Sequence, residues 1–203
     1  MILKDSVREK LKPLGLAGAL MLVTGLIFSP ALISTGIAVI FISSLLMYPV
    51  KELPKTLWGN KAALLLIVLY LVDILCGLYT ENREGFIQNT RIKLPLLLLP
   101  LALCRPYVYS KKEIIVILYV FISAVTLACL LTGGRFVIDY KAQMALVEAN
   151  QPVQVMGKIN HLYFSILLAF SLLAGIILLK NRWINLRGWK YALILMTIVQ
   201  VIF

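Results

Sequence analysis

The sequence predicts an all-α membrane protein, a polytopic bundle of about seven transmembrane helices with the last one truncated. Hydrophobic residues make up 61% of the chain and charged residues only 14%, whereas soluble domains average about 45 to 50% and about 25%. The few charges also separate long uncharged runs. Because a soluble fold of 203 residues would leave much of this apolar surface in water, we expect residues 1–203 to form a single transmembrane domain.

The first two spans are predicted from one uncharged stretch between Pro13 and Val50. This stretch is long enough for two membrane helices. Ser29-Pro30, in its middle, is a turn signal, so we expect the chain to fold back there into a helix hairpin. The basic N-terminus resembles that of a secretory signal peptide, but no cleavage pattern follows, which favours an uncleaved hairpin.

Five further spans complete the predicted bundle. Ala62–Thr80, Ile114–Thr132 and Leu162–Leu179 are each about one bilayer thickness long. Leu94–Cys104 is shorter and contains two prolines, so it fits either a short span or a re-entrant segment. The last run, Tyr191–Phe203, stops without a polar flank, which predicts an incomplete span in the N-terminal part of a longer protein. A short helix ending at a thinned interface is the alternative.

The distribution of basic residues distinguishes the two readings of Leu94–Cys104. Cytoplasmic loops carry an excess of Lys and Arg. If the segment spans, 14 of the 20 basic residues lie inside; if it does not, the sides carry ten each. The spanning topology, with a cytoplasmic N-terminus, is therefore favoured. Its inside residues are Lys4, Arg8, Lys10, Lys12, Lys51, Lys55, Lys61, Arg105, Lys111, Lys112, Lys180, Arg182, Arg187 and Lys190.

This topology leaves two long loops outside, Glu81–Lys93 and Gly133–Asn160. In the second, we expect Gly133-Gly134 to break the preceding helix. Apolar residues then recur at helical spacing and predict a helix on the outer membrane surface, ended by Asn150-Gln151-Pro152. These apolar residues are Val137, Tyr140, Met144 and Val147.

Motifs of soluble enzymes are missing from the sequence. It has no nucleotide-binding glycine loop, no HExxH, no CxxC and no nucleophile elbow. The three cysteines, Cys76, Cys104 and Cys129, lie in apolar runs without metal-ligand spacing, so we expect neither a zinc site nor a disulfide framework. The function classes that remain are chemistry or transport at the outer face of the membrane.

Three basic residues lie in the first outer loop against the usual charge bias: Arg83, Arg91 and Lys93. Guanidinium and ammonium groups at headgroup level suit a lipid-borne phosphate or diphosphate, which Arg binds bidentately. The alternative is interfacial anchoring with pairing to Glu81 or Glu84. Arg91 is the strongest candidate for binding a lipid-borne diphosphate.

Two more residues are candidates with simpler alternatives. His161 is the one histidine of the chain and could serve a site near neutral pH, or merely begin a helix beside Asn160. Asp73 lies inside a predicted span, where a charged residue suggests function. We expect Asp73 to be structural, bonded to Tyr70 or to a neighbouring helix.

Two stretches resemble the O-antigen ligase family. The first is residues 71–103, with LYTEN at Leu78–Asn82 and TRIKLP at Thr90–Pro95; the second is residues 157–175, with an H-x-x-F-S pattern that begins at His161. The resemblance covers most of the chain, although its motifs are short and mostly apolar.

Membership of that family would imply a glycan ligase or polymerase of the bacterial cytoplasmic (inner) membrane. Such proteins transfer glycan from an undecaprenyl diphosphate carrier to a glycolipid or glycan acceptor at the outer face, with arginines of outer loops holding the diphosphate. No metal or other cofactor and no nucleic-acid partner is implied. The family's catalytic histidine lies beyond the end of this chain, so His161 does not inherit that role. We expect no catalytic residue here and no activity from this chain alone.

Two other classes remain open from the sequence. A secondary transporter would use Asp73 as an ion or proton site near the membrane midplane, but the inverted repeats typical of transporters are not visible. A non-catalytic membrane assembly protein would bind a partner without affinity for a glycan lipid.

Overall fold

The computed structural model describes residues 5–47, 50–77, 79–104, 109–149, 161–180 and 187–202. Over these ranges the protein is helical and contains no strand, which confirms the all-α prediction. The helices are α1 (Asp5–Phe28), α2 (Pro30–Met47), α3 (Leu53–Gly59), α4 (Lys61–Gly77), α5 (Arg83–Lys93), α6 (Pro95–Leu103), α7 (Lys111–Ile138), α8 (Tyr140–Glu148), α9 (His161–Lys180) and α10 (Arg187–Ile202).

Four of the described helices, α1, α2, α7 and α9, are long and apolar enough to cross a membrane. A fifth crossing exists if α3 and α4, bent by 103° at their junction, form one broken span. The apolar side chains of these candidate spans are widely exposed. On α9, for example, Ile166 is 54% and Phe170 is 60% accessible. Such surface fits lipid and not water, so the chain is a helical membrane protein. The predicted count of about seven spans is not confirmed by the described helices, because α6 and α10 are shorter than a full span.

The predicted fold-back at Ser29-Pro30 is confirmed. Helix α1 ends at Phe28 and α2 begins at Pro30. The Ser29 carbonyl accepts the first hydrogen bond of α2, from the Leu32 amide at 3.1 Å. Proline is favoured at the first helical position because its missing N–H would have no partner there.

The chain forms two compact units, and the prediction of a single transmembrane domain stays a prediction. The first unit comprises residues 1–22 and 34–109. In it, α1 and α2 approach so closely that a Cβ on Gly36 would lie 2.6 Å from the Leu22 amide nitrogen. Helix α6 packs on α4 and α5, and the Ser44 hydroxyl of α2 donates to the Ala102 carbonyl of α6 at 2.9 Å.

The second unit comprises residues 23–33 and 110–203. Helices α7, α9 and α10 pack on one another around two apolar clusters, which include Ile122, Val125 and Leu178. Gln200 of α10 is buried, and its Nε2 donates to the Ile122 carbonyl at 3.2 Å and to the Thr126 hydroxyl at 2.8 Å. These bonds fix α10 on α7, because a carboxamide in an apolar bundle needs protein partners.

Some predicted helix ends are wrong. Helix α7 continues through Gly133-Gly134 to Ile138, so Val137 belongs to α7 and not to the outer-surface helix. A helix tolerates glycine at a cost of about 1 kcal/mol each relative to alanine, which a long apolar helix offsets. Helix α4 ends at Gly77, three residues before the predicted end at Thr80. Helix α8 confirms a helix after α7, whereas its predicted stop at residues 150–152 lies outside the described residues.

Candidate functional site

The predicted first outer loop contains a helix, α5. Its first turn is capped by Asn82, whose Oδ1 accepts a hydrogen bond from the Gly85 amide at 2.9 Å. Asn is a favoured N-cap because its side chain satisfies an amide that has no partner within the helix. The LYTEN stretch therefore includes the turn after α4 and the cap of α5, although Leu78 itself lies outside the described residues.

The inner face of α5 packs on α4. Phe86, Thr90 and Lys93, spaced four and three residues apart, are half-buried along this face. The Phe86 ring lies directly on Gly77, and any Cβ at that position would overlap it. Gly77 is thus required for the close approach of the two helices.

Lys93 at the end of α5 forms an ion pair with Asp73 of α4 through Asp73 Oδ1. Of the two expected partners of Asp73, Tyr70 and a neighbouring helix, the structure shows the neighbouring helix. The partner lies 20 residues away in sequence. Asp73 Oδ2 is buried and has no hydrogen-bond partner among the residues that the structure describes. Half of this carboxylate's hydrogen-bonding capacity is therefore unused, which is unfavourable for a buried oxygen.

Arg83 and Arg91 lie on the outer face of α5 and are exposed, with Ile87 between them. Within the described ranges neither guanidinium has an ion-pair partner, so the alternative pairing with Glu81 or Glu84 is not seen. Ile87 is 51% and Ile92 70% exposed. A helix that presents both apolar and basic side chains to its surroundings is typical of a membrane interface.

A cavity of about 340 Å³ lies between the end of α4 and the start of α5 and opens at the protein surface. Polar side chains on its wall include exposed Thr80, Asn82 and Asn89. The described residues that line it are Asp73, Cys76, Gly77, Thr80, Asn82, Gly85, Phe86 and Asn89. One of these is a carboxylate and none is basic.

The predicted site residues are thus divided between two surfaces. Arg83 and Arg91 share the outer face of α5, and Lys93 is turned to Asp73 on the inner face. His161 begins α9, but its side chain lies outside the described residues. Over the described ranges, no three His, Cys, Asp or Glu side chains are close enough to hold a metal ion.

Sequence reasoning missed the cavity. Asn82 is a residue type typical of a helix N-cap, and this signal predicts the start of α5. Thr80 and Asn89 carried none, because their joint position depends on how α5 folds back on α4. Comparison with protein-family models, with curated proteins and with solved structures gave no match.

Proposed function

We propose that this chain is the membrane domain of an O-antigen ligase-type glycan ligase or polymerase that binds undecaprenyl diphosphate through the outer face of α5. One observation carries the proposal: Arg91 is an exposed guanidinium without an ion-pair partner in the described ranges, on a helix with exposed isoleucines. The isoleucines favour the lipid interface, and the guanidinium matches a diphosphate bidentately.

The three basic residues of the site have unequal roles in this proposal. Arg91 and Arg83 are available to an anion, since neither has a carboxylate partner in the described residues. Lys93 shares its charge with Asp73, so it holds α5 on α4 and contributes less to binding. His161 stays a proposed substrate-binding residue on the resemblance alone, because its side chain lies outside the described residues.

In this arrangement α5 lies at the outer face of a bacterial cytoplasmic membrane. The arrangement retains seven spans and a cytoplasmic N-terminus, with α6 as a short span and α10 as the seventh. Nine residues of α6 rise only about 14 Å, so the bilayer must thin locally where α6 crosses it.

Binding of undecaprenyl diphosphate to the purified chain in lipid nanodiscs tests the proposal. Loss of a bidentate guanidinium contact to a partly desolvated anion costs about 2 to 5 kcal/mol. We therefore expect Arg91→Ala and Arg91→Lys both to raise the Kd at least about thirtyfold, because lysine keeps the charge but loses the fork.

Lys141→Ala is the matched control, since Lys141 is an exposed basic residue of another helix, α8. It should leave the Kd unchanged. Parental affinity in Arg91→Lys would make Arg91 a simple anchor and refute the proposed binding site.

An ion-coupled transporter is the second candidate, favoured by Asp73, an acidic residue in an apolar helix whose Oδ2 is unpaired within the described ranges. Its pairing with Lys93 suits a structural role equally well. Asp73→Asn distinguishes the two: a transporter would lose ion-driven uptake in proteoliposomes, whereas the glycan-lipid reading keeps the affinity for undecaprenyl diphosphate.

A further inference from the structure

The cavity between α4 and α5 has a chemistry unlike that of the Arg91 surface. Its wall includes one carboxylate, two carboxamides and a hydroxyl, and none of the described residues that line it is Lys or Arg. A phosphate or diphosphate would find no basic side chain there to bind it, because the nearby Lys93 ammonium is already paired with Asp73. The cavity therefore does not fit the anionic part of a lipid carrier.

A cationic ligand fits no better. Lys93 already compensates the charge of Asp73 through Oδ1, so a second cation would find no net negative charge to balance it. Within the described residues, Asp73 Oδ2 still lacks a hydrogen-bond donor. Asp73 lines the cavity, and each carboxylate oxygen has two lone pairs, so it can accept a hydrogen bond from a neutral donor there and keep its ion pair.

Three polar side chains supply the remaining hydrogen-bonding groups. Asn89 and the Thr80 hydroxyl have no partner within the described ranges, and Asn82 uses Oδ1 for its cap but leaves Nδ2 free. Carboxamides and hydroxyls both donate and accept, as sugar hydroxyls do. Phe86 adds an aromatic wall, on which the C–H face of a sugar ring can pack.

We propose that this cavity binds a neutral sugar ring, held by Asp73, Thr80, Asn82 and Asn89 against Phe86. Its volume of about 340 Å³ lies at the lower end of the range for ligand pockets, about 300 to 1,000 Å³. Successive helix residues turn by about 100°, so Asn89 and Arg91 project from nearly opposite sides of α5. The sugar site is thus separate from the proposed diphosphate site and does not depend on it.

Cys76 provides a direct readout, because its exposed thiol lines the cavity whereas Cys129 is buried. In the purified chain, alkylation of Cys76 by a hydrophilic maleimide is followed by peptide mass spectrometry. The probes are methyl glycosides of glucose, galactose and N-acetylglucosamine, undecaprenyl diphosphate carrying one N-acetylglucosamine, and undecaprenyl diphosphate without sugar. We expect at least one sugar-bearing probe to slow alkylation by about tenfold at saturation, and sugar-free carrier to leave the rate unchanged.

Asn89→Ala should remove this protection, since it deletes one carboxamide from the wall. Gln88→Ala is the matched control: Gln88 is the neighbouring exposed carboxamide on α5 but does not line the cavity, and its variant should keep full protection. Protection by a methyl glycoside identifies a free or acceptor glycan as the source. Protection by the sugar-bearing carrier alone identifies the donor glycan.

The proposal is overturned if no sugar-bearing probe protects Cys76, if the sugar-free carrier protects equally, or if Asn89→Ala and Gln88→Ala behave alike. These outcomes are independent of the Arg91 experiment. A carrier that binds through Arg91 without protecting Cys76 would refute the sugar site alone, and a methyl glycoside that protects while no carrier binds would refute the diphosphate site alone.

Discussion

The ion pair between Asp73 and Lys93 ties the end of α5 to α4, one turn before α4 ends. Both side chains are about one-third exposed, with Lys93 at 36% and Asp73 at 26%. Solvent screens a pair at that depth, so we assign it about 1 kcal/mol and not the several kcal/mol of a fully buried pair. Its role is to hold the inner face of α5 in place.

A double-mutant cycle tests this coupling. Asp73→Asn leaves the Lys93 ammonium half-buried without a counter-ion, and Lys93→Gln does the same to Asp73. We expect each single variant to lower the apparent Tm in detergent and the double variant to unfold above either of them, because it contains no unpaired charge. Additive losses in the double variant would show that the two residues are not coupled.

The exposed pair Arg135 and Asp139 provides the control for the cycle. Its atoms are 3.9 Å apart, and both side chains are about half exposed. Asp139→Asn should therefore change the apparent Tm little, as is usual for surface ion pairs.

The sequence singles out Arg91 and Asp73 but does not show which charged side chains pair. Charge inside an apolar run is visible in any sequence, which is why Asp73 was noticed. Its partner lies 20 residues further on, and only the fold-back of α5 on α4 brings the two together. Lys93 consequently looked like a third ligand of the diphosphate.

Helix elements differ in how tightly their glycines are enclosed. A Cβ on Gly36 would lie 2.6 Å from the Leu22 amide nitrogen and 2.8 Å from the Gly18 carbonyl oxygen, both backbone atoms that cannot move alone. Gly134, in contrast, has open space around it inside α7. The two positions therefore respond in opposite ways to the same added methyl group.

We expect Gly36→Ala to lower the apparent Tm in detergent by forcing α1 and α2 apart, with a cost of about 1 to 3 kcal/mol. Gly134→Ala should be neutral or stabilising by up to about 1 kcal/mol, because alanine is the better helix former. A strong loss in Gly134→Ala would contradict the finding that α7 runs through this position. An unchanged Tm in Gly36→Ala would contradict the close hairpin.

The ends of helices are predictable where the local sequence signal is strong. Ser29-Pro30 combines a cap and a proline at the first helical position, and the break lies there. Gly133-Gly134 has no such cap, and α7 ends instead before Asp139. Helix α5 was read as a loop because its polar residues show no continuous apolar face, and its packing on α4 decides its structure.

The whole molecule consists of two compact helical units with extensive apolar surface. Composition predicted a membrane protein because the apolar excess of the whole chain does not depend on any element boundary. The number of spans is harder, since α6 and α10 are both shorter than the membrane is thick. Hydropathy does not distinguish a short span from a buried segment. Counting Lys and Arg on each side of the membrane favours one topology but does not measure it.

The sidedness of α5 is the claim on which the proposed glycan-lipid function depends most directly. A membrane-impermeant thiol reagent on intact cells measures it in a Cys76→Ser background. Gln88→Cys on α5 and Lys141→Cys on α8 report the proposed outer side, and Lys55→Cys on α3 the inner side; all three positions are exposed. We predict labelling at 88 and 141 in intact cells and at 55 only after permeabilisation; labelling at 55 in intact cells with none at 88 would contradict the account.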